Sequence, residues 1–210
     1  MRMRMLAPKT SVPVLRDGKT IVQGSGEIID YLDGKFPESP LTPRDPEAAR
    51  EALDWERYCD EEIGVQARRW FYHHALADRR VALGFLLQGS PRYIRPFFRL
   101  AFPLVRLVML RFMDITAETA AESEKRFLIA LKKLDVALEG RRFLVEDRFS
   151  RADLTACALI SPICLADDIE AAARFPAAAL RFREEVKDGR VYAWVRSVYE
   201  SCRRPASAGT

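Results

Sequence analysis

The residue types that could do chemistry in this chain are few and scattered. Four cysteines stand at 59, 157, 164 and 202, and two histidines sit side by side at 73 and 74. The cysteine spacings match neither a CxxC redox pair nor a zinc pattern, and four in 210 residues is too sparse for a disulfide scaffold. Cys157 and Cys164 lie in an apolar run, where small thiols pack as core residues. Buried structural thiols in a reducing compartment are therefore expected. Adjacent histidines on a helix point about 100° apart and cannot share one metal face as an i, i+4 pair does. A packing role is expected for His73 and His74, and no metal. The acidic group Asp167, Asp168 and Glu170 has no histidine or glycine-rich loop beside it and reads as a solvated helix end.

Three other places carry more information. Val12-Pro13 sits at the start of a β-prone run, where a proline fits only if its missing N–H is not needed, and an X-Pro bond can be cis. Ser25 precedes an apolar periodic run and is placed to cap a helix. The unpaired N–H groups and dipole at such a helix start also favour a ligand carboxylate. Ser150 and Asp153 form a capping box at the head of another helix, with Asp where Glu or Gln is more usual. That motif is read as structural.

The elements that must position these residues are legible from turns and periodicity. Residues 11–22 read as a β-hairpin around Asp17-Gly18, followed by a helix from Ser25 that Gly34 and Pro37 stop. Phe36–Arg44, rich in Pro and Ser, reads as a linker. Beyond it only helical patterns appear. Asp45-Pro46 opens a helix running to about Ala75 with a weak point at Gly64. Ser90-Pro91 opens another, expected to kink or break at Pro96 and Pro103. Further helices are expected over Thr116–Leu138, from Ser150, over Ala177–Val186 and over Arg190–Cys202.

In the segment Ser90–Arg111, Arg92, Arg95, Arg99 and Arg106 fall within about 60° of one another on a helix. Their neighbours are bulky: Phe97, Phe98, Leu100, Phe102, Leu104 and Val105. The favoured reading is a solvated arginine stripe on a core helix. The others are an apolar cleft lining with an anion site, and a membrane-surface helix. The arginines rule the segment out as a bilayer span, since each costs about 2.5–3.5 kcal/mol at the membrane centre. The sequence MRMRMLAPKT at the start has no apolar stretch of a signal peptide. With 34 basic against 30 acidic residues, the net charge of +4 is too mild to imply nucleic acid.

The order of these elements resembles the glutathione transferases. The stretch VPVLRDGKTIVQGSGEIIDYL resembles that family's glutathione-site signature, and FSRADLTACALISPI resembles its helical-domain signature. The resemblance implies a mainly α chain: a partial thioredoxin-like α/β piece (β-hairpin plus helix) followed by an all-α bundle. The boundaries it implies are 1–37 for the thioredoxin-like piece, 38–44 for the linker and 45–203 for the helical domain. It implies glutathione as cosubstrate, bound by Val12, Pro13, Gly24 and Ser25. In the resemblance, a cis Pro13 turns the Val12 backbone toward the cysteinyl peptide as an added strand, and Ser25 receives the γ-glutamyl carboxylate. It further implies a small electrophilic substrate, a homodimer and a cytoplasmic location; no nucleic-acid partner is expected, and a membrane surface is not the favoured one.

Two departures matter. The family usually has an acid or Gln just before this Ser, helping to hold the ligand ammonium; here that position is Gly24, with Gln23 one earlier. The family's domain also opens with a strand–helix–strand unit whose first strand presents the Tyr, Ser or Cys that stabilises the glutathione thiolate. Such a unit takes about 30 residues, and eleven precede Val12. No catalytic residue is therefore assigned, and the implied reaction, conjugation or glutathione-dependent reduction, is expected of a version with that unit. A non-enzymatic glutathione-binding or protein-interaction module is the other reading.

Overall fold

The computed structural model describes residues 12–164 and 175–202. Asp167, Asp168 and Glu170 lie outside them. Strands β1 (Val14–Asp17) and β2 (Thr20–Gln23) form an antiparallel hairpin in the register Val14↔Gln23 to Asp17↔Thr20. The register leaves a two-residue turn, Gly18-Lys19, in which Gly18 takes φ +59. A positive φ at the first turn residue belongs to the hairpin turns whose twist matches the strands. Helix α1 (Ser25–Lys35) follows, and it is tied back to the hairpin. The Tyr31 hydroxyl donates to Asp17 Oδ2 at 2.7 Å, and Lys35 pairs with the same carboxylate.

The remaining described elements are helical. They are α2 (Pro46–Cys59), a π-helical turn (Asp60–Gly64), α3 (Val65–Ala77), α4 (Arg79–Leu86), α5 (Ile94–Phe112), α6 (Ala117–Ala137), α7 (Arg151–Cys164), α8 (Ala177–Val186) and α9 (Arg190–Cys202). The chain is thus mainly α: a hairpin-plus-helix piece of thioredoxin-like type, then a helical bundle. It divides into two compact units. Among the described residues, one takes those up to Glu56 together with Phe143–Leu154, the other Arg57–Arg142 with those from Thr155 onward.

In the first unit, Asp33 at the end of α1 accepts the N–H groups of Leu41 and Thr42 at 2.7 and 2.9 Å, fixing the course of the linker. In the second unit, α3 packs on α6, and the core is aromatic. Phe127 stacks on Phe182 at 5.1 Å, and Trp70 tilts against Phe182 at 5.0 Å. A polar tie runs through this packing: Ser123 Oγ donates to Gln66 Oε1 at 2.9 Å, fully buried, and Arg126 holds Glu62 with two N–H groups. His74 packs edge-on against Trp70 at 5.4 Å. Its pKa is lowered by burial and by neighbouring His73, which suits a packing role.

Several expectations need correction. The weak point at Gly64 is real, but the helix does not end there; it widens into the π turn and continues. A Cβ on Gly64 would come within 3.2 Å of a Leu159 side-chain methyl, so the glycine makes room for that side chain. Helix α4 was not anticipated; Asp78 caps it, accepting from the N–H groups of Arg80 (2.8 Å) and Val81 (3.4 Å). Helix α5 starts at Ile94 rather than at Pro91, and neither proline breaks it. Pro96 falls in the first turn, where its missing N–H had no helical partner anyway. Pro103 frees the carbonyl of Arg99, and Arg79 Nη2 donates to that carbonyl at 2.9 Å. In α7, Pro162 frees the carbonyl of Ala158, which accepts from Ser161 Oγ at 3.0 Å. Of the cysteines, 59, 157 and 164 are buried as expected, but Cys202 is exposed.

Candidate functional site

The turn between β2 and α1 faces the start of β1. Val12-Pro13 is cis, Val12 is exposed, and Gly24 N–H donates to Pro13 O at 3.1 Å, extending the ladder past Val14 and Gln23. Val12, Pro13, Gly24 and Ser25 are thus brought together. Ser25 does not cap the helix as expected. It is the first helical residue; Gly24 holds the cap position with φ +113 and ψ 145, and the Ile28 N–H reaches Gly24 O at 3.1 Å. That backbone region is essentially glycine-only. The cap supplies no side-chain bond, so the first N–H groups of α1 have no partner within the helix or from its cap side chain.

Glu27, in the first turn of α1, was missed by sequence reasoning. Its carboxylate folds back over Gly24, so closely that a Cβ on Gly24 would collide with it. The only sequence signal was an acid in the first helical turn, which is usually explained by the helix dipole alone. Gly24 therefore serves twice, for its backbone angle and for the room it leaves to a carboxylate.

Beneath the helix start lies a buried ionic cluster, also missed. Arg151, 3% exposed, pairs through Nε with buried Glu56, and through Nη1 reaches Asp30 Oδ1 at 2.7 Å and Thr42 Oγ1 at 3.0 Å. Its own N–H donates to Leu41 O at 3.0 Å. Burial works against the guanidinium charge, but the bonds to Glu56 and Asp30 outweigh it and raise the pKa. Gly26 lets the helix start lie over this pair: a Cβ there would be 3.3 Å from Glu56 Oε1 and 3.6 Å from Arg151 Nη2. One arginine thus joins α1, the linker, α2 and α7 within the first unit.

The Ser150–Asp153 box is present in altered form. Asp153 Oδ2 accepts from the Ser150 N–H at 2.9 Å and from the Ser150 hydroxyl at 2.8 Å, while Oδ1 accepts the Leu144 N–H at 2.8 Å. The serine hydroxyl donates to the carboxylate instead of accepting from the Asp153 N–H. All three residues are fully buried. Among the described residues no group of three or more His, Cys, Asp or Glu could hold a metal ion. Nor is any described helix long and apolar enough to cross a membrane.

Comparison with known proteins fits this geometry. Residues 2–40 match the sequence model of the glutathione S-transferase N-terminal domain. Glutathione S-transferase Z1 of Arabidopsis thaliana is 30% identical over 102 residues, a match spanning 40% of this chain and 45% of that protein. The chain thus spans less than half the length of this curated relative. A glutathione S-transferase domain-containing protein of Marinobacter aquaeolei superposes with a TM-score of 0.58 at 20% identity, over 95% of this chain and 77% of that one. A glutathione S-transferase of Methylobacillus flagellatus, solved with glutathione bound, superposes at 0.51 and 18% identity, over 91% and 71%. The fold is that of the glutathione S-transferases.

Proposed function

We propose that the chain serves a glutathione transferase, binding glutathione at the turn made by Val12, Pro13, Gly24 and Ser25. The observation that carries this reading is the arrangement at the head of α1. The first N–H groups of α1, which receive no bond from the cap side chain, stand there beside exposed Val12 and the Glu27 carboxylate. The γ-glutamyl end of glutathione carries a carboxylate and an ammonium on one carbon. The helix start receives the first, and Glu27, lying over Gly24, receives the second. Glu27 thereby takes the task that an acid just before the serine has elsewhere in the family. The matched span, residues 2–40, contains every one of these groups.

The reaction proposed is thiolate addition of glutathione to a small electrophile, or glutathione-dependent reduction, in a cytoplasmic homodimer. In this reading residues 1–37 form the glutathione-facing piece, 38–44 the linker and 45–203 the helical domain. Calorimetry on the wild type and Glu27→Gln tests the assignment, using glutathione and its analogue without the amino group, glutaryl-cysteinyl-glycine. The variant is expected to weaken glutathione binding about tenfold, as loss of a charge-assisted bond implies, and to leave the analogue unaffected. Equal loss for both ligands would remove Glu27 from the ammonium site.

A further inference from the structure

Helix α5 has two apolar faces, and only one is used by the fold. Phe102 is buried with Leu76, Ala82 and Ile115, and Phe98, Met109, Leu110 and Met113 pack around that cluster. On the other side Tyr93, Phe97, Leu100, Leu104 and Leu107 follow one another at steps of three and four, each between 62% and 82% exposed. That spacing makes one continuous ridge along the helix. An exposed apolar ridge of this size marks an interaction surface.

Charge identifies what the surface meets. From Arg79 to Met113 the chain contains seven arginines and no Asp, Glu or Lys. Arg79, Arg80, Arg95 and Arg99 converge on a cavity of about 750 Å³ between α4 and α5, walled otherwise by residues such as Leu83 and Leu87. Arg79 is held there by its bond to the Arg99 carbonyl. Arg111 stands exposed in line with the ridge itself. We propose that this face docks on an anionic phospholipid surface, the ridge entering the interface and the four arginines taking headgroup phosphates. A second copy of the chain fits poorly, because a two-fold interface would set arginine against arginine with no carboxylate from this segment to relieve it. A peptide partner needs a groove, whereas the ridge is the convex side of one helix. A bilayer asks only for a stripe of apolar side chains beside cations that reach the phosphates. No described helix can cross the bilayer, so the mode is attachment along the surface.

Vesicle flotation of the full 210-residue chain tests the proposal. Vesicles of phosphatidylcholine alone should leave the protein behind, and vesicles of equal parts phosphatidylcholine and phosphatidylglycerol should carry it. Raising salt to about 0.5 M should weaken that binding at least about tenfold. Leu100→Asp with Leu104→Asp should abolish binding without lowering the melting temperature, since both side chains are exposed. Arg95→Gln, at an exposed position outside the ridge, should weaken binding to the mixed vesicles severalfold and serves should the first variant fail to fold. Absence of binding to the mixed vesicles would overturn the proposal, as would equal binding to neutral ones. So would a dimer in sedimentation equilibrium that Leu100→Asp dissociates, for the ridge would then belong to a second copy.

Discussion

Asp153 shows how much one buried carboxylate can hold. It takes three hydrogen bonds, from Leu144 N–H and from both donors of Ser150, with no exposure to solvent. Burial pushes its pKa up, and those bonds oppose the rise without cancelling it. Removing the carboxylate takes away the acceptor that the buried N–H groups of Leu144 and Ser150 share. Asp153→Ala should therefore cost more than Ser150→Ala: about 1–3 kcal/mol for each buried donor that loses its acceptor, against about 1.5–3 kcal/mol for the single hydroxyl bond to the carboxylate. Chemical denaturation of both variants checks the order, and glutathione affinity should be unchanged in Ser150→Ala at temperatures where it is folded. Asp33 gives the pH dependence. Burial raises its pKa, but the Thr42 hydroxyl, the N–H groups of Leu41 and Thr42 and the charge of Arg151 bring it below the ordinary value. A depressed folded-state pKa contributes stability that is present above the unfolded value of about 3.9 and is lost as pH falls through the folded value. The wild type should melt above Asp33→Asn at neutral pH, and the gap should close in acid. A constant gap across that range would mean that Asp33 acts by shape rather than charge.

Among the elements, the hairpin–helix corner is the most demanding. Gly18 has φ +59 and open space around it, whereas Gly24 has φ +113 and the Glu27 carboxylate against it. Gly24→Ala should destabilise by about 1–3 kcal/mol, and Gly18→Ala by less, as measured by thermal melting. A reversed order would mean that the turn, not the helix start, constrains this corner. The hairpin and the boundaries of α6, α8 and α9 were legible because each rests on a local signal: a Gly-containing turn, a Thr cap, a clean three-to-four period; the turn itself falls one residue later than Asp17-Gly18, at Gly18-Lys19. What was illegible left no distinctive mark in the local sequence. Helix α4 rests on Asp78, and a single Asp before two arginines looks the same in a loop. The prolines of α5 and α7 break nothing because Arg79 and Ser161 satisfy the carbonyls they release. Periodicity gave α5 its apolar residues but not which of two faces is buried. The Arg151 cluster was hidden for the same reason: Glu56 and Asp30 lie 95 and 121 positions from it in sequence. At the site itself, the meeting of Val12-Pro13 with Gly24-Ser25 could be read from the motif. The returning Glu27 carboxylate could not, since its position follows from the backbone angle at Gly24.

At the scale of the whole molecule, the chain combines a glutathione S-transferase fold with two unlike surfaces: a polar corner at the head of α1 and an arginine-flanked apolar ridge on α5. The corner is built from backbone and from one carboxylate, with Arg151, Glu56 and Asp30 supporting the helix that presents it. Ligand binding to a site present only in the folded state raises stability by mass action, so glutathione at a hundredfold excess over its dissociation constant should add about 2.7 kcal/mol. The most direct test of the account is amide chemical-shift mapping of the isotope-labelled chain as glutathione is added. Saturable shifts centred on Val12 and on Gly24 through Ile28 are predicted, with the arginine cavity between α4 and α5 undisturbed. Saturable shifts centred on that cavity instead, or no saturable shift at the head of α1, would contradict the assignment of the glutathione site.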